Sequence, residues 1–286
     1  MLRSTQENRR SVEFFCELFG KTRRAFYERK PSSPDDLKTR KTILRLIRDE
    51  RIVLPFCGGK KLYHKLKPLL VQRGIKCGRD KLFDILREEN LLIKPKRRYH
   101  QTTDSNHSHK VYENLIKDEK FDRPNQVWVS DITYVRVGEA FQYLNLITDL
   151  VSRKIVGYSL WETLETEGTL RALRQALKHK NETEKLIHHS DRGVQYCSQS
   201  YTNLLKNNGI MISMAAKACP YENAVAERVN GILKVEFDLG RIFETVKIAK
   251  QSVHQAIRLY NKNRTHWGLG LRTPDEVHFQ ELKVAA

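Results

Sequence analysis

The sequence has little that would indicate a disulfide-linked, zinc-binding or membrane-spanning protein. It contains five cysteines, an odd number, which are widely separated and include no C-x-x-C pair. This distribution does not support a disulfide framework or a zinc knuckle. The sequence also has no signal peptide and no apolar run long enough to cross a bilayer. We therefore expect a protein of the reducing cytoplasm that has no membrane partner.

Positive charge is abundant and unevenly distributed. The chain has a formal net charge of +18, from 52 Lys and Arg against 34 Asp and Glu. Residues 1–120 contain 30 Lys and Arg and 16 Asp and Glu, a net charge of +14, which leaves +4 for the remainder. A basic first part beside a nearly balanced second part indicates a module that binds a polyanion, joined to a separate core. Nucleic acid is the favoured polyanion, because no basic amphipathic helix has a strong apolar face for a membrane.

The basic first part is predicted to be helical. Residues 1–34 have the pattern of a short helical segment that ends in a proline-containing break. Residues 35–98 contain three apolar segments at helical spacing, separated by glycines, and the third exposes Arg79 and Lys81. Three short helices with a basic third helix are typical of a helix-turn-helix DNA-binding domain. The alternative is a generic three-helix bundle with basic faces turned to solvent.

A basic stretch follows this helical region. Residues 94–110 have little apolar content and no periodicity, and we predict a linker over 99–122. Arg97 and Arg98 are candidate DNA contacts within the stretch.

From Pro124 onward the pattern becomes that of a mixed α/β core, predicted over 123–238. Segments 127–137, 141–151 and 153–160 are rich in β-branched and aromatic residues and predict three strands. The predicted elements that follow are a helix at about 166–179, a strand at 185–191, a helix capped by Ser198 and a strand at 210–214. This alternation indicates a mixed sheet flanked by helices. A long helix, 244–262, and a polar tail form the C-terminal helical region, 239–286.

Three acidic residues of this core are candidates for a metal site. Asp131 lies in the middle of the first predicted strand, where burial of an unpaired carboxylate is costly unless a basic partner or a bound cation compensates. Asp191 follows the fourth strand, and Glu227 lies on a helix that begins after Pro220. Three carboxylates on two strands and one helix would make an all-oxygen site suited to Mg²⁺ or Mn²⁺, with room for two ions.

Local structure accounts for several neighbouring acidic and histidine residues. Asp149 ends the second strand, where it suits a turn, and Glu222 lies near a helix start, where it favours the helix dipole. His188 is interpreted as a buried strand residue. His189 is a candidate phosphate contact.

The helix that carries Glu227 is predicted to have one polar and one apolar face. At a period of 3.6 residues the polar face holds Asn223, Glu227, Asn230, Gly231 and Lys234. The absence of a side chain at Gly231 would let another backbone, such as that of DNA, approach closely. The alternative is an amphipathic helix whose polar face is simply solvated.

Three motifs of the core resemble those of a known family. They are W-V-S-D-I-T-Y, H-H-S-D-R-G-V-Q-Y and Y-E-N-A-V-A-E-R-V-N-G-I-L-K-V-E-F, with 35 residues between Asp191 and Glu227. With the helical region around 37–98 and the tail 260–276, they resemble the DDE transposases of insertion-sequence family three. The chain looks most like the OrfB product of such an element, and its core is similar to retroviral integrases.

The resemblance implies an RNase H-like core with a catalytic triad of Asp131, Asp191 and Glu227. It implies Mg²⁺-dependent cleavage at the ends of the element and joining of a 3′-hydroxyl to a DNA phosphate, by a homo-oligomer that associates with the nucleoid when active. Lys234 and Asn223 match family positions expected to contact DNA and to support the site. The remaining candidate DNA contacts are Arg228, Arg264 and His266.

Two features bear on how the chain acts. The family's OrfB is commonly fused by frameshifting to an OrfA that carries a leucine zipper, and this chain shows no zipper heptads. The resemblance therefore implies an OrfA-type partner or fusion. The loop 213–220 lacks the glycine usual in the family, which predicts a less mobile loop and lower activity.

Two alternatives to a transposase remain open. One is a domesticated or regulatory DNA-binding protein with a silent catalytic core. The other is an RNase H-type nuclease acting on RNA, which would share the metal site and leave the basic helical region unexplained.

Overall fold

The structure is a computed structural model that describes residues 11–23, 34–93, 110–180, 185–216 and 223–280. The predictions for Arg97, Arg98 and residues 99–109 of the linker lie outside these ranges, as do those for Glu222 and residues 217–220 of the glycine-free loop. None of the helices in the described ranges is long and apolar enough to cross a membrane.

The basic first part is helical, and the three helices predicted within it are confirmed. Helix α1 spans Val12–Leu18. Helices α2 (Pro34–Val53), α3 (Gly59–Gln72) and α4 (Arg79–Glu88) pack around their own apolar cluster, which includes Ile43, Ile47, Leu62, Leu66, Leu82 and Leu86. We refer to α2–α4 as the helical unit.

The α/β core predicted over 123–238 contains one mixed sheet. Strands β1 (Val127–Val137), β2 (Ala140–Asp149) and β3 (Ile155–Trp161) form an antiparallel meander. Strand β4 (Ile187–Ser190) pairs parallel to β1, and β5 (Met211–Met214) pairs parallel to β4, which gives the order β3-β2-β1-β4-β5. The mixed sheet that the sequence predicts is therefore confirmed. Antiparallel strands follow short turns, whereas the parallel strands need helical crossovers.

Helices cover both faces of this sheet. Helices α5 (Thr166–Leu177), α6 (Val194–Cys197) and α7 (Gln199–Asn207) share a core with Trp128 on one face. Helices α8 (Ala224–Glu236) and α9 (Val246–Asn263) pack on the other face. Adjacent β-strand residues point to opposite faces, so even-numbered residues of β1 face α5–α7 and odd-numbered residues face α8.

The C-terminal region is more ordered than predicted. After α9 the chain forms a 3₁₀ turn, Trp267–Leu269, and a further helix, α10 (Pro274–Gln280), where the sequence indicated only a polar tail. A two-residue strand, β6 (Ile242–Phe243), pairs parallel to the end of β1. The sequence analysis did not identify these short elements within the C-terminal helical region, because their buried partners, such as Ser152 for His278, are remote in sequence.

Candidate active site

Asp131 lies at the centre of β1 on the face that α8 covers. Its Oδ1 accepts a hydrogen bond of 2.9 Å from the backbone N–H of Ile132, and its Oδ2 accepts one of 2.7 Å from the side-chain amide of Asn230 on α8. The residue is partly exposed. Asp131 pairs with Leu146 of β2, and the pairing of β1 with β4 covers residues 127–129, so Asp131 lies where the β4 pairing ends.

Asp191 lies beside Asp131 because of the strand register. Strands β1 and β4 are parallel, with Val129 opposite His189, and the two aspartates each follow this pair by two residues. Asp191 is just beyond the end of β4, and its Oδ1 accepts a hydrogen bond of 3.0 Å from the backbone N–H of Gly193. The turn at Gly193 therefore presents the carboxylate at the sheet edge rather than within the ladder.

Glu227 reaches the same region from α8. It lies in the first turn of the helix, and the residue is exposed. The helix is amphipathic as predicted, with Val229 and Ile232 buried against the sheet.

The charges of the three carboxylates interact. Desolvation raises the pKa of Asp131 to about 7, and the negative charges of Asp191 and Glu227 contribute to the rise, against the hydrogen bond from Asn230. Like charges that come this close disfavour ionisation of one another, and a divalent cation between them would reverse the effect. The interaction of both charges with Asp131 shows that the three predicted carboxylates lie near one another.

The donor set fits a hard divalent cation in its chemistry. Carboxylate oxygens from Asp131, Asp191 and Glu227 are the ligand type that Mg²⁺ prefers. Two buried carbonyl oxygens, Oδ1 of Asn223 and Oδ1 of Asn230, have no hydrogen-bond partner within the described residues. Within those residues, however, no three His, Cys, Asp or Glu side chains already form a group that could hold an ion. The carboxylates are therefore neighbours without being preassembled as ligands.

Lys234 lies on the same helix, two turns after Glu227. It is half-buried, and burial lowers its pKa while the charge of Asp131 acts to raise it. The ammonium group is thus within electrostatic reach of the central aspartate, where it can neutralise an anion bound beside it.

Three side chains among the candidate DNA contacts are buried, and Asn223 among them was also expected to support the site. Asn223 is buried and donates a hydrogen bond of 3.0 Å to the backbone carbonyl of Ser130. His189 is buried, with Nδ1 2.8 Å from Ser213 Oγ. Arg264 is 4% exposed and forms hydrogen bonds of 2.8 and 2.6 Å with Glu236. These three side chains hold the core together and present no surface to a nucleic acid.

The remaining candidate DNA contacts differ in their exposure. Arg228 and Lys81 are exposed, and Arg79 is exposed but hydrogen-bonded to Asp80 at 2.9 Å. His266 is half-buried with its ring 5.4 Å from that of Tyr260, and burial lowers its pKa to about 2. It is therefore neutral at physiological pH.

Two structural interpretations made from the sequence are confirmed. Asp149 is a buried turn acceptor, which binds the backbone N–H of Ser152 at 2.7 Å and that of Asn125 at 2.6 Å. His188 is buried, with Nε2 2.7 Å from Ser130 Oγ and 2.9 Å from Tyr201 Oη. Burial lowers its pKa to about 3, so the ring is neutral.

Asn230 is a residue whose role the sequence did not reveal. Its place on the polar face of the helix was evident, but its partner is 99 residues away in the chain. The spacing of three residues after Glu227 was the available signal, because residues three apart lie on one helix face.

Comparison with known proteins shows the family of the chain. Two models of the integrase core domain match residues 122–220 and 208–274, together more than half of the chain. The insertion element IS600 uncharacterized 31 kDa protein of Shigella sonnei is 35% identical over 276 residues, 95% of this chain and 100% of the relative. Transposase InsF for insertion sequence IS3A of Escherichia coli (strain K12) is 35% identical over 199 residues, 69% of each chain.

Among solved structures, the HTLV-2 integrase catalytic core domain in complex with magnesium is 20% identical, with a TM-score of 0.43. The match covers 55% of this chain and 97% of that one. The RNase H-like mixed-sheet core predicted from the sequence is confirmed by the matched integrase core models and the strand order. By its identity to relatives covered over two thirds or more of their length, the chain belongs to the IS3 family of transposases.

Proposed function

We propose that this protein cleaves DNA at the ends of an insertion sequence and joins the freed 3′-hydroxyl to a phosphate of target DNA. Asp131, Asp191 and Glu227 are the proposed catalytic residues. The single observation that carries the proposal is the position of Asp131 and Asp191, each two residues after the paired Val129 and His189 of parallel strands, with Glu227 of α8 near enough for its charge to act on Asp131. Three carboxylates at one place repel one another, and a bound cation between them would offset this repulsion.

The same three residues would hold the metal. When bound, Mg²⁺ or Mn²⁺ would activate the attacking oxygen and stabilise the leaving oxygen, most effectively as two ions. Asn230 fixes the orientation of Asp131, and Asn223 fixes the strand behind it. Lys234 would offset the negative charge of the DNA phosphate beside Asp131.

The partners follow from the same reaction. The substrate is DNA, both element end and target, and two ends must be held together, which requires a homo-oligomer. An OrfA-type partner or fusion supplies recognition of the terminal repeats in this proposal. The exposed side chains Arg228, Arg79 and Lys81 are the proposed DNA contacts in the described residues.

The test is a strand-transfer assay with Mg²⁺, a duplex carrying the element end and a target plasmid. The wild-type chain should give joined products. Asp191→Asn should give none while it retains DNA binding, because the substitution removes a charged ligand and keeps the shape of the side chain. Cleavage without joining would instead favour a nuclease.

One observation favours a second candidate, a DNA-binding protein with a silent core. No group of three ligating side chains is preassembled in the described part of the chain. If the wild-type protein binds DNA and gives neither cleaved nor joined product with Mg²⁺ or Mn²⁺, this second function replaces the first.

A further inference from the structure

The helical unit meets the catalytic core at a seam beside the end of α8. Phe237, which follows the last residue of α8, packs against an apolar cluster of the core and also against that of the helical unit. Helix α8 therefore joins the two, and Glu227 lies ten residues before the contact on the same helix. Residues that flank this seam can bind one ligand from both sides.

Positive charge is concentrated at the seam. Lys61 on α3 interacts electrostatically with Arg264 and Arg228, and the ring of His266 interacts with all three of these cations and with Arg153. Burial and this crowding of cations lower the pKa of Lys61 to about 8, although Glu236 acts in the opposite direction.

Little negative charge offsets this concentration. Glu236 is engaged in two hydrogen bonds with Arg264, a bidentate pair that neutralises both groups. Lys61 and Arg228 form no salt bridge within the described residues. Arg228 is exposed and Lys61 is half-exposed, so both can be reached from solvent.

The basic surface extends from the seam along α3. This helix contains no Asp or Glu, and Lys60 and Lys67 are exposed on it. On α4, by contrast, Arg79 pairs with Asp80 and Arg87 pairs with Asp84 at 2.6 Å. Lys65 of α3 pairs with Glu50 of α2, and the other three lysines of α3 have no salt bridge within the described residues. With four lysines and no acid, α3 has a larger net positive charge than α2, with six cations and four acids, or α4, with three of each, which is the helix that the sequence indicated.

We infer that Lys61 of α3 and Arg228 of α8 together bind the phosphate backbone of DNA, so that the helical unit and the catalytic core hold one duplex at the seam. The inference rests on the proposed function, since it names the surface through which the substrate is held. Arg264 is buried and its charge is offset by Glu236, so it takes no part in this contact. A duplex is favoured over a small anion because the basic surface continues along α3 beyond the seam.

Binding at the seam has a functional consequence. Arg228 directly follows Glu227 in the sequence. A phosphate bound by Arg228 would therefore hold the duplex close to a proposed catalytic carboxylate. Lys61 fixes the same duplex to the helical unit. The pair would therefore set the distance between the DNA gripped by the helices and the DNA that is cut.

The experiment measures binding to a fluorescently labelled duplex of about three helical turns and arbitrary sequence, over a series of salt concentrations. Each lost phosphate contact reduces the slope of log K against log salt by about 0.9. Lys61→Gln/Arg228→Gln should therefore lower the slope by about 2 and weaken binding on the order of tenfold at ~0.1 M salt. The matched control is Lys250→Gln/Arg258→Gln, two exposed cations of α9, which should leave the slope unchanged.

The single variant Arg228→Gln tests the inference even if the double variant does not fold. Arg228 lies on the surface, and Arg228→Gln alone should lower the slope by about 1 even if the double variant folds poorly. A slope equal to that of the control in both Arg228→Gln and the double variant would overturn the inference. This experiment measures DNA binding and does not depend on catalysis. If the wild type joins no DNA in the strand-transfer assay, the proposed function is wrong, and the binding result at Lys61 and Arg228 is unaffected.

Discussion

The side-chain amide of Asn230 on α8 donates a hydrogen bond of 2.7 Å to Oδ2 of Asp131 on β1. This bond links the helix that carries Glu227 to the strand that carries the central aspartate. The geometry of the proposed site therefore depends on a residue that is not itself an acid. A hydrogen bond to a charged group contributes about 1.5–3 kcal/mol.

Replacing Asn230 with Ala should lower the rate of strand transfer about 10- to 100-fold, because Asp131 loses the donor that orients it. The free energy of unfolding should also fall by about 1–3 kcal/mol, because Oδ2 of Asp131 is left without its donor, so the rates are compared at a temperature at which both variants are fully folded. The control is Asn203→Ala, an exposed position on α7. Equal rates for the two variants, measured under single-turnover conditions, would show that Asn230 has no part in orienting Asp131.

Glycine at position 157 is required by the packing of α5 on β3. A Cβ atom there would lie 2.3 Å from the backbone oxygen of Ala172 and 2.8 Å from the Cβ of Ala176. Gly157→Ala should therefore lower the free energy of unfolding by about 1–3 kcal/mol. Gly231→Ala is the matched control: nothing lies within 4 Å of its Cβ position, and it should raise stability by about 1 kcal/mol. Denaturant titration measures the free energy of unfolding of both variants. Equal free energies for Gly157→Ala and Gly231→Ala would contradict the close packing at position 157.

The buried pair of Arg264 and Glu236 fixes the chain after α9 to α8. Glu236→Ala leaves a guanidinium with 4% side-chain exposure without its partner, so we expect a loss of about 3–5 kcal/mol in unfolding free energy. The exposed pair of Arg87 and Asp84 is the comparison, and Asp84→Ala should cost less than about 1 kcal/mol. If thermal unfolding shows the same decrease in the free energy of unfolding for both variants, the buried pair does not stabilise the fold more than the exposed pair.

Buried histidines should make the protein sensitive to acid. Burial lowers the pKa of His278 to about 3 from its ordinary 6.5, and the ring meets Ser152 Oγ at 3.0 Å. Below pH 6.5 the imidazole of His278 binds a proton in the unfolded chain but stays neutral in the folded chain. The free energy of unfolding is therefore highest above pH 6.5 and decreases as the pH falls towards the folded-state pKa of about 3.

His278→Asn should flatten this fall by up to about 1.4 kcal/mol per pH unit, since one titrating group is removed. The measurement is the free energy of unfolding of both proteins at steps of about one unit between neutral pH and about pH 4. An identical pH dependence would mean that the pKa of His278 is the same in the folded and the unfolded state, against the effect of burial.

The elements that sequence patterns predicted are those whose signal is local. Strand β1 has dense β-branched residues, and α7 has a capping serine, Ser198, whose Oγ accepts from the backbone N–H of Tyr201. Such signals need no knowledge of distant partners. The positions of Asp131 and Asp191 could also be predicted as a candidate site because their strands were visible.

What the sequence could not supply depends on long-range contacts. The burial of Arg264 follows from a partner 28 residues away, and β6 is only two residues long, too short for any periodicity. These features become evident only when the chain is folded.

The central claim is that Asp131, Asp191 and Glu227 bind divalent ions together. The most direct measurement is titration of the DNA-free protein with Mn²⁺, followed by the electron paramagnetic resonance signal of free Mn²⁺. We predict binding by the wild type, loss of affinity in Asp131→Asn, Asp191→Asn and Glu227→Gln, and no loss in the exposed control Glu244→Gln. Wild-type affinity in any one of the three carboxylate variants would contradict a shared site.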